Sequence, residues 1–149
     1  METRNHYRSR ICIVGSHDLE GLPTQLIDFI SRLGPGSLVM LRSPRDKEPG
    51  RFEQMVAKVC GEMWVAHAYF KPGGGGRSAT FERDIGMVSM STCVMAFFAT
   101  DEMSGGTEHV VDKAVDQRVP VASYGIRDDL LVQLGSYNPD DLVLPELAL

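Results

Sequence analysis

The run Cys93-Val94-Met95-Ala96-Phe97-Phe98-Ala99 is apolar without a break. A strand made from it has no polar alternation, so neither of its faces can meet water. Such strands belong to parallel sheets covered by helices on both sides. Ile11-Cys12-Ile13-Val14 and Leu38-Val39-Met40-Leu41 are shorter runs of the same kind. Met63-Trp64-Val65-Ala66 reads as a further strand, with Trp64 packed at the sheet. The last strand is expected at 119–124, and Pro120, which cannot donate to a ladder, places it at an edge.

Helical spacing fills the intervals. Leu22, Leu26, Ile30 and Leu33, with Phe29 alongside, form one stripe between Pro23 and Gly34-Pro35-Gly36. Phe52, Met55, Val56 and Val59 form a second, which Gly61 stops. Phe81, Ile85 and Val88 mark one face of a third helix. Arg83, Met87 and Met90 mark another, and the methionines suit core or dimer contact. A fourth helix is expected at 107–118. The loop from Lys71 to Ser78, with Gly73-Gly74-Gly75-Gly76, is expected to be mobile. Alternating strands and helices with right-handed crossovers predict an α/β chain, a Rossmann-like three-layer sandwich with a mostly parallel sheet of about five strands.

A chain of 149 residues suits one domain, here 10–134, between a flexible N-terminus (1–9) and a tail (135–149). Leu142, Leu144, Leu147 and Leu149 give that tail a face to dock. Cys12, Cys60 and Cys93 are isolated among apolar residues and read as reduced buried thiols. The net charge of −5 argues against nucleic-acid binding. There is no apolar run of membrane-spanning length, and Met1 to Arg10 lacks a signal-peptide core. A cytoplasmic protein is expected.

Ser104-Gly105-Gly106-Thr107 follows the most apolar strand and precedes a helix. Glycines let backbone amides approach a ligand, and a helix N-terminus adds unpaired donors and partial positive charge. Thr107 can cap the helix or offer its hydroxyl to the ligand. The plain alternative is a tight turn without a ligand. The position after a central strand favours an anion site.

Three segments, taken in order, resemble a known superfamily. They are Ile11 to Asp18, then Arg83-Asp84 with Met87-Val88, then Ser104 to Thr107 followed by Ala114 and Val119-Pro120-Val121. Together they resemble the SLOG superfamily of DprA and Lonely Guy proteins. The small YspA-like branch is most similar, with its G-S-R-D loop, R-N-x-x-M helix start and S-G-G-T turn. The resemblance implies a nucleotide or nucleotide-derived ligand at Gly15, Ser16 and His17 and at Ser104 to Thr107, with Arg83 and Asp84 contributing. The superfamily's members commonly pair, which together with the methionine stripe beside Phe81 and Ile85 suits a homo-oligomer; no cofactor is expected besides the nucleotide-type ligand. Two departures stand out. The family's glycine-rich loop after the second strand reads Leu41-Arg42-Ser43-Pro44-Arg45 here, so Arg42 or Arg45 would supply donors from side chains. The catalytic Glu of Lonely Guy enzymes, three residues after the motif Thr, is Val110. The same loss argues against the nucleoside deoxyribosyltransferases, which need that Glu.

Arg83 is either a solvated charge or a ligand contact, and Asp84 either orients it, meets a ribose hydroxyl or simply starts a helix. His17 stands where the family has Arg. His17, His67 and His109 match no metal-ligand spacing, so no metal is expected. Asp101, Glu102 and Glu108 are the remaining acid–base candidates. The expected function is a small nucleotide-binding sensor or regulator. The alternatives are a phosphoribohydrolase or N-glycosidase with a non-standard acid, and a DprA-like DNA-binding protein.

Overall fold

In a computed structural model that describes residues 7–140 together with Leu147 and Leu149, strands and helices alternate along the chain. They are β1 (Ser9–Gly15), α1 (Thr24–Ser31), β2 (Ser37–Arg42), α2 (Arg51–Glu62) and β3 (Ala66–Phe70). Then follow α3 (Gly76–Ser89), β4 (Cys93–Phe98), α4 (Gly105–Asp116), β5 (Val121–Arg127) and β6 (Leu130–Tyr137). The sheet is six-stranded, in the order β3-β2-β1-β4-β5-β6. All neighbours pair parallel except β5 and β6, which are antiparallel. β4 lies beside β1, with Val14 opposite Ala96 and Gly15 opposite Phe97. Every residue of β4 is buried, as its unbroken apolar run predicts.

Alternate residues of each strand point to opposite faces, and each face has its own core. Ile11, Ile13, Val39, Leu41, Met95 and Phe97 pack with Leu26 and Ile30 of α1 and Phe52, Val56 and Cys60 of α2. Cys12, Val14, Met40, Val94, Ala96 and Phe98 pack with Met87 and Val88 of α3 and Val110, Val111 and Ala114 of α4. Helices on both faces of a mostly parallel sheet make a Rossmann-like three-layer sandwich. At roughly 1.5–3 kcal/mol for each large apolar side chain removed from water, these two cores hold the layers together. Among the described residues, no helix is long and apolar enough to cross a membrane.

Several local expectations are corrected. The third strand starts at Ala66, because Met63 and Trp64 close α2 instead. Trp64 adopts a left-handed backbone (φ 58°) and is 94% exposed, so it does not pack on the sheet. The Val65 amide donates to the Cys60 carbonyl at 2.8 Å and the Trp64 amide to Gly61 at 3.4 Å. That is the helix-ending geometry in which glycine usually takes the left-handed position. α4 ends the same way through Arg118 (φ 58°), with Val119 donating to Ala114 at 2.8 Å.

The 119–124 strand is not an edge. Pro120 precedes β5, and its carbonyl accepts from Val94 at 2.9 Å. The edge position passes to β6, reached through Asp128 and Asp129. Both have positive φ, as a two-residue hairpin turn of this hand requires. β6 runs to Tyr137, across the boundary expected at 134.

α3 starts at Gly76, inside the stretch expected to be a loop, and it turns Asp84, Met87 and Val88 inward. Phe81 and Ile85 are 39% and 42% exposed, so they do not share a buried face with Val88. Met87 is core, while Met90 is half-buried against the same cluster. α4 begins two residues earlier than expected, so Thr107 lies within its first turn and Ser104 takes the cap position.

Ser9 opens β1 and donates to the Gly36 carbonyl at 3.1 Å. Residues 1–6 lie outside the described residues, as do Leu142 and Leu144 of the tail. Leu147 is buried in the first core cluster, while Leu149 is exposed. All three cysteines are free and buried. Burial pushes the Cys60 thiol up to about 11 and the Cys93 thiol to about 12, and raises Cys12 further. Such thiols are poor nucleophiles.

Candidate functional site

The strand order reverses between β1 and β4. The chain leaves β1 towards α1 on one face of the sheet and leaves β4 towards α4 on the other. The connections therefore part at this point and open a crevice beyond the carboxyl ends of the two strands. Ser16 fastens the two ends together. Its amide donates to the Phe97 carbonyl at 3.0 Å, and its Oγ accepts from the Ala99 amide at 3.0 Å. Gly15 has a packing reason to be glycine: a Cβ there would lie 2.5 Å from the Phe52 ring, which is itself 1% exposed.

Two adjoining hollows occupy the crevice. The larger, about 370 Å³, lies between the loops after β1 and β2, the start of α2 and the Gly74–Gly76 segment leading into α3. The smaller, about 200 Å³, sits over the start of α4 and is lined by Ser16, His17, Asp18 and Ser104 to Thr107. His17, Arg42 and Gly106 line both. Gly105 has φ +68°, a conformation that other residues adopt at a cost. At Gly106 a Cβ would meet only the Arg42 Nη1 at 3.6 Å, an ordinary contact.

Arg42 closes β2 and extends into the crevice. Its Nη2 donates to the Gly15 carbonyl at 2.5 Å and to the Thr107 hydroxyl at 2.7 Å. Its Nε lies 3.6 Å from Oε1 of Glu53, in the first turn of α2. Glu53 is 4% exposed, and its Oε2 has no hydrogen-bond partner. Burial holds its carboxyl above the usual value of 4.5, and the charge of Arg42 only partly opposes that shift.

A second set of charges runs across α3 and α4. Arg83 donates through Nη1 to the Ser43 carbonyl at 2.8 Å, and through Nε and Nη2 to Asp84 Oδ1 at 3.1 and 2.9 Å. The other oxygen of Asp84 is 3.0 Å from His109 Nδ1. The imidazole of His109 stacks on Phe81 with ring centres 4.2 Å apart. Arg83 is therefore neither solvated nor at the start of its helix. Two fixed acceptors hold it at the wall of the larger hollow.

The crevice brings together Gly15, Ser16, His17, Arg83, Asp84 and Ser104 to Thr107. Asp101, Glu102 and Glu108 line neither hollow. Asp101 is instead paired with Arg127 at 2.9 Å at the surface. Among the described residues, no group of three or more His, Cys, Asp or Glu side chains is placed to hold a metal ion. No family model, curated protein or solved structure matches the chain.

Two of its members are not sequence candidates for catalysis or ligand contact. Phe52 was legible only as a core residue. Glu53 was not singled out, although it adjoins the apolar stripe Phe52-Val56-Cys60 at a spacing that turns it inward. A carboxylate on the buried side of a helix, eleven residues after an arginine that ends a strand, is the signal that would have found it.

Proposed function

We propose that this chain is a small nucleotide- or nucleotide-derivative-binding protein of the SLOG type, akin to its YspA-like branch, with a sensing or regulatory role. The ligand's phosphate sits over the Ser104–Thr107 turn. One observation carries this reading: the N-terminus of α4 opens at the strand-order reversal into a crevice that also holds Arg42 and Arg83, in a chain whose net charge is −5. The helix N-terminus contributes about 0.3–1 kcal/mol to a nearby anion, up to ~2 where partly buried. Charge-assisted hydrogen bonds add roughly 1.5–3 kcal/mol each. Phe81, 39% exposed at the larger hollow, offers apolar surface for a base.

Gly106→Val tests the reading. The space around Gly106 accepts a Cβ, so the fold should survive. The added methyls stand where a phosphate would approach the backbone. Thermal-shift titration with a nucleotide panel should show stabilisation of the wild type and none of the variant. Equal stabilisation of both would make the turn purely structural.

Hydrolysis of an N-glycosidic bond is the second reading, and Glu53 is the observation that favours it. Burial at the crevice wall raises its carboxyl above the usual carboxylate value, the direction a general acid requires. Release of free base from nucleoside monophosphates would establish it.

A further inference from the structure

One group in the crevice has no part in holding a phosphate. Glu53 is a buried acceptor at the wall of the larger hollow; unlike Asp84, whose two oxygens are engaged by Arg83 and His109, it has an oxygen, Oε2, that is buried without a partner. An unmet buried acceptor is costly, and a ligand O–H or N–H is the kind of group that would satisfy it. Resting on the nucleotide reading above, we infer that Glu53 reads the sugar hydroxyls of the ligand, so that the crevice selects ribose over 2′-deoxyribose.

The spacing supports a sugar. Arg42 bridges the two subsites, with Nε 3.6 Å from Glu53 Oε1 and Nη2 2.7 Å from the Thr107 hydroxyl. The carboxylate and the start of α4 are thus separated by a single guanidinium group. In a nucleoside 5′-monophosphate the phosphate and the 2′,3′-diol are separated by a single furanose ring, a span of the same order. An anion at α4 therefore places the diol, rather than the base, towards Glu53. The terminal torsion of a glutamate is broad, so a partial rotation can bring the unpartnered oxygen towards the crevice when a ligand hydroxyl is there to donate to it. An acidic side chain reading ribose hydroxyls is also a general solution in open α/β sheets. Here it is supplied by the first turn of α2.

Calorimetric titration of the full-length chain with the common ribonucleoside 5′-monophosphates and their 2′-deoxy counterparts tests this. The wild type should bind the best ribonucleotide about 10- to 100-fold tighter than its deoxy form, the cost of leaving one buried acceptor unpaired. Glu53→Ala should bring that ratio close to one, mainly by weakening the ribonucleotide. Glu53→Gln keeps an acceptor oxygen and should be intermediate. Melting curves of both variants check that they fold. A wild-type ratio near one, a ratio unchanged in Glu53→Ala, or discrimination that follows the base would each overturn the inference. If both sugar classes bind and Gly106→Val abolishes binding while the ratio is one, the sugar reading alone fails. If neither class binds the wild type, the nucleotide reading fails and this one with it.

Discussion

Replacing Arg42 with Met isolates the electrostatics of the crevice. The side chain of Arg42 is 14% exposed and that of Glu53 is 6% exposed, so solvent screens their pairing weakly. Removing the guanidinium leaves a buried carboxylate with only the Gly15 backbone and the charge of Arg83 to favour its ionised form, and it must either stay charged or take up a proton. Protonation sets the ceiling on the cost. From the usual value of 4.5 to pH 7 it is about 3.4 kcal/mol, at about 1.36 kcal/mol per pH unit. Burial already raises Glu53 in the wild type, so part of that cost is present before the substitution. The variant's extra ionisation cost is therefore smaller than the ceiling.

The direction with pH follows from linkage. The folded-state pKa lies above the unfolded one, so the folded state binds more protons between the two values and loses stability as pH rises through that window. Below about 4.5 both states are protonated and the ionisation cost is absent. The hydrogen bonds to Gly15 and Thr107 are lost at every pH. Thermal melts from pH 4 to pH 8 should therefore show a constant deficit in Arg42→Met plus a part that grows with pH. At roughly 2–4 °C per kcal/mol for a chain of this size, the part that has grown in by pH 7 amounts to at most about 14 °C. Glu53→Gln added to Arg42→Met should abolish the growing part and leave the constant one. A deficit that does not change with pH, or one that the second substitution leaves intact, would refute the coupling of these residues.

Two further outcomes are expected. Gly15→Ala should cost about 1–3 kcal/mol, because its Cβ forces the Phe52 ring out of the core, and a melting temperature equal to wild type would show that the ring yields freely. We also propose a homodimer, consistent with the SLOG resemblance and with the exposed Phe81 and Ile85 on α3. Light scattering should give about twice 16.4 kDa at high micromolar concentration, and a species of 16.4 kDa alone would exclude it.

The layered fold was legible because it is encoded locally. An unbroken apolar run such as Cys93–Phe98 fits only a strand covered on both faces, and it proved to be one. The two errors at strand boundaries came from residues in unusual roles. Trp64 looks like core by composition, yet it takes the left-handed position that ends α2, where its indole is turned into solvent. A left-handed backbone costs a non-glycine residue roughly 1–2 kcal/mol, so no propensity argument would place tryptophan there. Asp128 and Asp129 make a hairpin turn without the expected glycine, which concealed β6.

The site divides along the same line. Ser104 to Thr107 was visible because glycine, hydroxyl and the start of a helix sit next to one another in the chain. Arg42 and Glu53 are brought together by the β2–α2 connection, and in a linear reading only the inward spacing of Glu53 on α2, after a strand-ending arginine, hints at the pair. Their burial is also the strongest argument that the crevice is more than a gap between loops. A glutamate with one unpartnered oxygen lowers stability where it stands, and an apolar side chain would fill the same position at less cost. A local rule broken at the strand-order reversal, beside an anion-favouring helix start, points to a requirement imposed by binding rather than by folding.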